Sequence, residues 1–589
     1  MQVSSMLSVE QALRAKFPDF FAQKPAFITR PLVAVLRWLL MEGEVNRFIK
    51  ENSSARGMEF IDRVLEYFSM DYAVARQERE NIPVSGRCVI VANHPLGALD
   101  ALALIRLVGE VRSDVMVVAN DLLSHIKPLE HMLLAVDNLG HHPTKASIRA
   151  IQKALDDEKA VIMFPAGEVS RLRPVGVRDT KWNSGFVKFA LKASAPIVPV
   201  YIKARNSSLF YASSMLSKPM AGLMLVREMN TQRGRTLTLK VGEQIPPHHL
   251  SGRGLRARAQ VTLVKKHLYR MGIKGKNLIN TERAIAHPES RQALRQELED
   301  SELLGQTQDG KRIFLFDSKP ESVVMREIGR LREVTFRKVG EGTGKRRDLD
   351  DYDTYYRHIV LWDDHDLEIV GAYRIGECAS IMDSRGLDAL YGHSLFRFQD
   401  GLKPYLGDAI ELGRSFVQPR YWGSRALDYL WQGIGAYMDS RPDVRYMLGP
   451  VSISDNFTKD AKDLMVDYHL RYFGPRQDEA PMISPRKPYT IAAPDRAELE
   501  RIFPADDPTA GFKVLKEHLA HFGVTVPTLY KQYVDLCDAE GVRFLGFNID
   551  PDFANCVDGL IMLDTEYVKD KKAARYTPRR FAAKQPIAA

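Results

Sequence analysis

Residues 88–100 read CVIVANHPLGALD, and this stretch decides how the first part of the chain folds. A short β-branched run ends at Asn93 and His94, and a Pro-Leu-Gly turn then leads to Asp100 near the start of an apolar helical pattern. Four more runs of this kind follow, each separated from the next by a helical pattern: residues 115–120, 133–138, 160–167 and 196–202. This alternation is typical of an α/β layer fold with a largely parallel sheet, in which functional side chains follow the strand ends.

The second part of the chain, from residue 312 onwards, is also predicted to be mixed α/β. Helical patterns cover residues 323–336 and 426–438. Strand-like runs occupy residues 312–317, 358–364, 368–375, 445–453, 542–549 and 559–564. The predicted fold class is therefore α/β, with two mixed α/β domains.

Changes of pattern along the chain give the domain boundaries. We predict a helical N-terminal region, a first α/β domain, a basic and polar connector, a second α/β domain with an insertion, and a basic tail. Their ranges are 1–85, 86–250, 251–311, 312–575 with the insertion near 471–524, and 576–589. A chain of 589 residues is too long to fold around one ordinary hydrophobic core. Its composition, 45% hydrophobic and 27% charged residues, is typical of a globular protein.

The charge balance favours an acidic partner. The chain has 83 Lys and Arg against 74 Asp and Glu, a net charge of +9. Nucleic acid, anionic lipid and an acidic carrier protein all fit this charge. Residues 251–276 hold eight basic and no acidic residues, and residues 571–584 are similar. Such a cluster predicts contact with an anionic membrane, at about 1 kcal/mol per basic residue, or else a solvated helix face. Nucleic acid is disfavoured because these segments lack interleaved stacking aromatics.

Several classes of protein are not indicated. No apolar run reaches the roughly 18 residues of a spanning helix, and the first residues lack a secretory signal pattern, so we expect a cytoplasmic protein. Four scattered cysteines predict reduced, buried thiols: Cys88, Cys378, Cys537 and Cys556. Without an H-E-x-x-H, G-x-S-x-G or complete Walker motif, neither a metal nor a bound cofactor is predicted.

His94 and Asp100 could form a general-base pair at the end of the first strand. A neutral imidazole can take a proton from a hydroxyl group if a carboxylate orients its other nitrogen and stabilises the imidazolium. Because no serine lies nearby, the substrate would supply the nucleophile. The alternative is structural: Asp100 would favour the helix N-terminus and His94 would have no chemical role.

The polar segments that follow two further strands strengthen the catalytic interpretation. With residues 164–171 (FPAGEVSR) and 196–200 (PIVPV), residues 93–100 resemble the glycerolipid and lysophospholipid acyltransferases, whose blocks read N-H-x4-D, F-P-E-G-T-R-S and V-P-V. The resemblance covers about residues 85–215 and implies that His94 and Asp100 are the catalytic dyad. It implies substrate-binding roles for Asn93, Gly97, Phe164, Pro165, Gly167, Glu168, Ser170, Arg171 and Pro199.

Two departures from that family pattern bear on the substrate. The His-to-Asp spacing is one residue longer, which Gly97 can absorb, and Ala166 replaces the usual Glu. Together with residues 177–182 (VRDTKW) and 201–211 (YIKARNSSLFY), these features look more like the branch that O-acylates lyso-ornithine lipid than the phosphatidate branch. The family's second block is expected near residues 137–145.

The second domain carries a different set of motifs. Residues 331–336 (LREVTF), 350–353 (DDYD), His358 and 411–417 (ELGRSFV) occur in that order. They resemble the acyl-homoserine-lactone synthases and the GNAT-type N-acyltransferases that attach a 3-hydroxyacyl chain to ornithine. The match runs from about residue 313 to 475 and resumes at 543–564.

An amine acceptor is a cation near neutral pH, so it must be held and deprotonated before it attacks a thioester. Asp350, Asp353 and Glu411 supply carboxylates for that purpose. The resemblance implies that Glu411 deprotonates the amine, and that Arg332, Phe336 and Arg414 shape the acyl-donor side. For Glu411 and Arg414 the alternative is an ion pair at a strand edge.

The acyl donor is suggested by a partial motif. Residues 420–425 (RYWGSR), including Gly423, match only part of the phosphate-binding turn of GNAT folds. Because Arg425 replaces the last small residue, acyl carrier protein is favoured over coenzyme A as donor.

The combined prediction is a bifunctional ornithine lipid synthase. The second domain would N-acylate ornithine with a 3-hydroxyacyl thioester, and the first would O-acylate the lyso-lipid. We expect the enzyme at the inner face of the cytoplasmic membrane. The alternatives are another acceptor such as glycine or lysine, a single active domain, or a nucleic-acid-binding protein.

Overall fold

The computed structural model describes residues 8–16, 18–120, 126–136, 144–174, 176–216, 218–251, 254–273, 275–475, 480–504 and 507–584. The chain divides into two compact units, Met1–Ala284 and Ile285–Ala589. Both are mixed α/β, which confirms the predicted fold class. In the described part of the chain, no helix is long and apolar enough to cross a membrane.

The first unit is built on a seven-stranded sheet. The strands are β1 Asp71–Ala73, β2 Cys88–Ala92, β3 Val115–Asn120, β4 Leu133–Val136, β5 Ala160–Met163, β6 Arg171–Arg173, β7 Gly176–Arg178, β8 Ile197–Lys203 and β9 Thr236–Val241. The helices are α1 Val9–Lys16, α2 Pro18–Gln23, α3 Ala26–Leu39, α4 Glu42–Glu51, α5 Met58–Tyr67, α6 Arg76–Arg79, α7 Ala98–Gly109, α8 Lys145–Asp156, α9 Gly185–Lys192, α10 Ser208–Leu216, α11 Lys218–Thr231, α12 His248–Ser251 and α13 Ala257–Gly272.

The order of this sheet is β1-β9-β8-β2-β5-β3-β4, and every neighbouring pair is parallel except β8 with β9. Strand β2 lies inside it and is buried throughout. Its alternate residues enter two separate cores: Ile90 faces one, and Val89 and Val91 face the other. Burial on both faces explains why the strand sequence is continuously apolar. The small β6–β7 hairpin stands apart from the sheet.

The second unit contains an eight-stranded sheet. Its strands are β10 Glu302–Gln306, β11 Arg312–Asp317, β12 Arg357–Asp363, β13 Glu368–Glu377, β14 Phe396–Phe398, β15 Ala409–Val417, β16 Tyr446–Ile453, β17 Ile483–Pro485, β18 Val542–Asp550 and β19 Cys556–Asp564. Its helices are α14 Arg291–Glu299, α15 Val323–Val339, α16 Cys378–Arg385, α17 Tyr391–Leu395, α18 Lys403–Leu406, α19 Ala426–Asp439, α20 Lys459–Phe473, α21 Ala493–Ile502, α22 Pro508–His521, α23 Thr528–Leu536, α24 Asp570–Tyr576 and α25 Pro578–Lys584.

The order of the main sheet is β10-β11-β12-β13-β15-β16-β19-β18, and only β15 and β16 run parallel. These two strands pair over three residues, ending at Glu411 opposite Leu448. Beyond that point β15 contains a bulge opposite β13, where Arg414 has a φ of +47°. A positive φ is costly for a residue with a side chain, so the surrounding structure must hold Arg414 in place. Strands β14 and β17 form a separate pair.

The segments interpreted as connector and insertion take part in the two cores. Helix α13, within 251–311, buries Val264 and Leu268 in the first unit, because its apolar positions face β8 and α9. The boundary between the units follows Ala284, so the rest of that segment belongs to the second unit. Helix α22, within 471–524, buries Leu515 and Leu519 in the main core of the second unit.

Candidate active sites

His94 and Asp100 meet at the carboxyl end of β2. Gly97 has a φ of +98°, so the turn after β2 uses a backbone conformation that favours glycine, and α7 then begins at Ala98. This places Asp100 in the first turn of α7, completely buried. Asp100 Oδ2 accepts a hydrogen bond from the Leu96 amide at 2.8 Å, and Asp100 Oδ1 lies 3.1 Å from His94 Nδ1. The longer spacing therefore still brings the carboxylate to the imidazole.

The electrostatics of this pair suit a base. Burial is the largest single influence on the imidazole and opposes its protonation, but Asp100, with a smaller contribution from Asp179, raises the pKa of His94 above its ordinary value. The Phe164 ring packs against the imidazole at 4.2 Å between centroids. The His94 side chain remains 18% exposed, so a substrate hydroxyl can approach it.

Asp179 holds the His94 turn and the following loop together. Asp179 Oδ1 accepts hydrogen bonds from the His94 amide at 3.2 Å and from Ser170 Oγ at 2.5 Å. Its Oδ2 accepts from Trp182 Nε1 at 2.8 Å. The Ser170 amide donates to the His94 carbonyl at 2.7 Å, which completes the connection. Asp179 has no assigned role in the sequence prediction, although it lies in the VRDTKW stretch.

The remaining predicted residues of the first unit fall into two groups. Asn93 and Pro199 secure the sheet: Asn93 exchanges two hydrogen bonds with the backbone of Ile202, and Pro199 lies opposite Val91 in β8. Glu168, in the loop after β5, lies 3.0 Å from Arg171 at the start of β6. Two buried nitrogens of Arg171, Nε and Nη1, have no hydrogen-bonding partner in the described part of the chain.

Residues 164–167 shape that loop through their backbones. The Gly167 amide donates to the Phe164 carbonyl at 3.0 Å, and the Asn183 amide donates to the Pro165 carbonyl at 2.9 Å. Most of the expected second block, residues 137–143, lies outside the described residues.

In the second unit, the predicted residues Arg332 and Asp353 form a buried ion pair. Arg332 Nη1 lies 2.9 and 3.0 Å from the two carboxylate oxygens of Asp353. Arg374 Nη1 and His358 Nε2 approach Asp353 Oδ1 at 3.1 and 3.2 Å. Burial opposes ionisation, but Arg332, His358 and Arg374 hold the pKa of Asp353 well below its usual range.

Asp350 belongs to the same arginine network. Asp350 and Asp353 each accept a hydrogen bond from the other's backbone amide, which closes a capping box. Asp350 also lies 2.5 Å from Arg374 Nη1 and 3.6 Å from Arg414 Nη2. Both aspartates were predicted to receive an amine, yet in the structure arginines surround them.

Glu411 is completely buried at the last position where β15 pairs with β16. Its carboxylate accepts hydrogen bonds from the Tyr391 amide at 2.9 Å, from the Gly392 amide at 2.5 Å, and from the Tyr356 hydroxyl. Burial raises the pKa of Glu411, and these donors oppose that rise. The carboxylate therefore fixes the start of α17.

Arg414 lies between aromatic rings and carboxylates. Its guanidinium is 5.2 Å from the ring centroid of Tyr391 and 4.7 Å from that of Phe553. Its Nε atom is 3.4 Å from Asp348 Oδ2. The Phe336 ring packs edge-on against Phe553 at 5.1 Å, so two residues predicted on the donor side, Phe336 and Arg414, share this neighbour.

A second set of acidic residues near Arg414 has no role in the sequence prediction. Asp550 and Asp558 are buried on β18 and β19, and Glu341 follows α15. Burial raises the pKa of Asp558 to about 7, and burial together with Asp558 raises the pKa of Glu341 to about 8. Asp558 Oδ1 accepts from Ser452 Oγ at 2.7 Å. The positive charge of Arg414 favours the ionised form of all three carboxyl groups.

The remaining predicted position, Gly423, lies apart from these contacts. It is exposed, has a φ of +78°, and precedes α19, which begins at Ala426.

Comparison with known proteins identifies the chemistry. A family model described as acyltransferase matches residues 12–276, and one described as acetyltransferase (GNAT) domain matches residues 331–432. The chain is 32% identical over 302 residues to a glycine N(alpha)-acyltransferase of Bacteroides thetaiotaomicron, covering 49% of this chain and 88% of that protein. The chain belongs to the same acyltransferase family as this relative.

The acyltransferase is also similar to proteins named for other acceptors. It is 29% identical over 248 residues to a lyso-glycine lipid O-acyltransferase of Phocaeicola vulgatus, covering 41% of this chain and 86% of that protein. It is 29% identical over 167 residues to an L-ornithine N(alpha)-acyltransferase of Brucella abortus, covering 23% of this chain and 58% of that protein.

One group of side chains in the first unit could hold a metal ion. Across the described ranges, one set of three such side chains brings its ligand atoms within 4.8 Å of one another: His248, His249 and Glu282. None of the three belongs to the predicted dyad or to the Arg414 region.

Proposed function

We propose that the enzyme makes an amino-acid-containing lipid in two acyl transfers. The second unit would attach a 3-hydroxyacyl chain to the α-amine of ornithine, and the first unit would esterify the new 3-hydroxyl group with a second chain. Support comes from two chemically different sites on one chain, an imidazole with a buried carboxylate in one unit and a carboxyl-rich, arginine-containing site in the other. Joining the sites keeps the lyso intermediate at high effective concentration near the second of them.

In the O-acylation step, His94 would act as the base. Its Nε2 would take the proton from the 3-hydroxyl as that oxygen attacks the thioester carbonyl carbon. Asp100, facing Nδ1, would stabilise the imidazolium. Collapse of the tetrahedral intermediate would release the thiolate, and the imidazolium proton would pass to that sulfur. The ester and a free thiol are the products.

In the N-acylation step, a carboxylate would accept the proton that an ammonium group must lose before it attacks. Glu411 is the candidate given by the sequence, and Asp558 is a second one that the structure adds. Asp558 uses one oxygen to accept from Ser452 and Cys556, while its other oxygen has no hydrogen-bonding partner among the described residues. Attack of the amine on the thioester would give the amide and release the thiol.

Ornithine is favoured as acceptor by the acidic set near Arg414. In the described part of the chain, no Lys or Arg lies within ion-pair distance of Glu341, Asp550 or Asp558. Ornithine carries two ammonium groups, and these carboxyl groups could accept the second one while the first reacts. Glycine has no second cation, but relatives named for glycine make it the main alternative.

The net positive charge of the chain is the basis for the proposed acyl donors and location. A net charge of +9 complements an acidic acyl carrier protein and an anionic membrane surface. We therefore propose acyl carrier protein over coenzyme A as donor, and peripheral contact with the inner face of the cytoplasmic membrane.

The lipid product tests the whole proposal. The full chain would be expressed in a bacterium without ornithine lipids, and the lipid extract would be analysed by mass spectrometry. We expect a new phosphorus-free lipid with two acyl chains and an ornithine head group. A glycine head group would replace the acceptor assignment, and a lyso species alone would show that the first unit does not act on it.

The pH dependence of N-acylation identifies the base. A carboxylate base must be ionised, so the wild-type rate should fall as the pH drops below about 7, the pKa of Asp558. Asp558→Asn should lower the rate by about 10²-fold or more and remove this acidic limb. Glu411→Gln should lower kcat but keep the limb, because Glu411 also positions Tyr391. The measurement is kcat/KM against pH for wild type and both variants.

The opposite result would change the assignment of the base. Loss of the limb in Glu411→Gln but not in Asp558→Asn would assign the base to Glu411. Asp552→Asn is the matched control, since Asp552 is exposed at the end of the same hairpin and should leave the profile unchanged.

A further inference from the structure

Helix α3 exposes an apolar face that the described residues leave uncovered. Five large apolar side chains of this helix are exposed, with Phe27 at 77% and Trp38 at 62%: Phe27, Ile28, Leu32, Val35 and Trp38. At 100° per residue these positions share one side of the helix. Thr29 and Val33, on another side, are buried. The helix is therefore held to the unit by one face and presents another to the surroundings.

Arginines lie around this face. The sequence of α3, AFITRPLVAVLRWL, contains Arg30 and Arg37 and no acidic residue, and Arg37 pairs with Glu42 of α4 at 3.0 Å. The guanidinium of Arg227, from α11, lies 3.5 Å from the ring centroid of Trp38. Exposed apolar side chains beside arginines are typical of helices that lie in the interface of an anionic bilayer. Tryptophan is also enriched at that depth.

Helix α11 connects this face to the His94 turn. A Cβ added at Gly97 would lie 3.6 Å from Leu225 Cδ2, so Leu225 packs beside the turn that carries His94. Arg227 lies two residues further along α11, against Trp38. A bilayer contacted by α3 would therefore lie close to the helix that borders the catalytic turn.

We propose that α3 inserts its apolar face into the interface of an anionic phospholipid bilayer and presents the first unit to membrane-borne lyso-lipid. This inference rests on the proposed lipid acceptor. The basic segments predicted from sequence would add attraction at the surface. Helix α3 would supply the hydrophobic contact that charge alone does not give.

Vesicle binding by the full chain tests the proposal. We expect binding to phosphatidylglycerol-containing vesicles and weaker binding to phosphatidylcholine vesicles. The double variant Phe27→Ser/Val35→Ser should bind the anionic vesicles at least about tenfold more weakly, because two apolar side chains no longer leave water. The control is Ile148→Ser/Leu303→Ser, which removes two exposed apolar residues outside α3 and outside the basic segments and should bind like wild type.

Fluorescence locates the contact. Tryptophan emission should shift to shorter wavelength when anionic vesicles are added, and Trp38→Phe should remove most of that shift. Unchanged vesicle binding by the Phe27→Ser/Val35→Ser variant would overturn the proposal. So would conversion of a dimer to a monomer by that variant with vesicle binding intact, since α3 would then contact a second copy.

Acyl transfer to lyso-lipid dispersed in detergent separates this inference from the proposed function. If the Phe27→Ser/Val35→Ser variant keeps that activity but loses acyl transfer on vesicles, both the proposed function and the membrane contact of α3 are supported. If vesicle binding requires α3 but no acyl transfer occurs under any condition, the proposed function fails and the membrane contact remains. If acyl transfer occurs and vesicle binding does not depend on α3, only the proposed membrane contact is refuted.

Discussion

Replacement of His94 by alanine is expected to lower O-acylation by about 10²–10⁴-fold and leave the N-acylated lyso-lipid as the end product. The imidazole would be the group that takes the hydroxyl proton, because its side chain is partly exposed whereas Asp100 is completely buried. N-acylation should continue, since His94 lies in the other unit. The measurement is the ratio of lyso to diacylated lipid in the extract, with initial rates for each step.

The Asp100→Asn variant refines this result. The neutral His94 is the active form, and the Asp100 carboxylate raises its pKa, so wild-type O-acylation should decline on the acid side at a pH above the ordinary value for histidine. Without that carboxylate, burial of the imidazole is opposed only by the smaller effect of Asp179, so the acidic limb should move to lower pH. The rate at high pH should still fall, because the imidazolium formed during reaction loses its partner.

A histidine of the same unit provides the control. The side chain of His248 is 69% exposed and faces Glu282, so His248→Ala should leave both steps at the wild-type rate. Normal amounts of diacylated lipid from His94→Ala would exclude His94 as the base.

The first site was largely predictable because its parts are local in sequence. The apolar run of β2 requires burial on both faces, and His94, Gly97 and Asp100 follow within one turn and the start of one helix. Local contacts of this kind can be inferred from residue order alone. Asp179 could not be assigned in this way, since its bond to the His94 amide depends on how distant loops meet.

The second site was less predictable because strand register brings it together. Ser452 and Asp558 lie opposite each other only because β16 and β19 pair in that register. The sequence also could not show which acidic residues would be neutralised. Asp353 is held by Arg332, whereas Asp558 has no such partner in the described part of the chain. The sequence predicted a carboxylate cluster of Asp350, Asp353 and Glu411, whereas the set of Glu341, Asp550 and Asp558 came from the fold.

Replacement of Asp353 by alanine is expected to destabilise the second unit by about 3–5 kcal/mol. Asp353 is the shared partner of two buried arginines, Arg332 and Arg374, which would be left close together without their carboxylate. Two nitrogens of Arg332 already have no hydrogen-bonding partner among the described residues. Arg332 therefore has few other groups that could replace the lost Asp353 carboxylate. The measurement is hydrogen exchange of residues 357–377 together with denaturant unfolding.

Asp351→Ala is the matched control, because Asp351 occupies the same turn but is exposed and should change stability by less than about 0.5 kcal/mol. The pH dependence distinguishes a charge effect from a packing effect. The folded-state pKa of Asp353 is depressed, so its contribution is present above the unfolded value of about 3.9 and is lost as the pH falls toward the folded value. The stability difference between wild type and Asp353→Asn should therefore be largest near neutral pH and should shrink below about pH 4. A difference that stays constant with pH would instead assign the effect to the shape of the side chain.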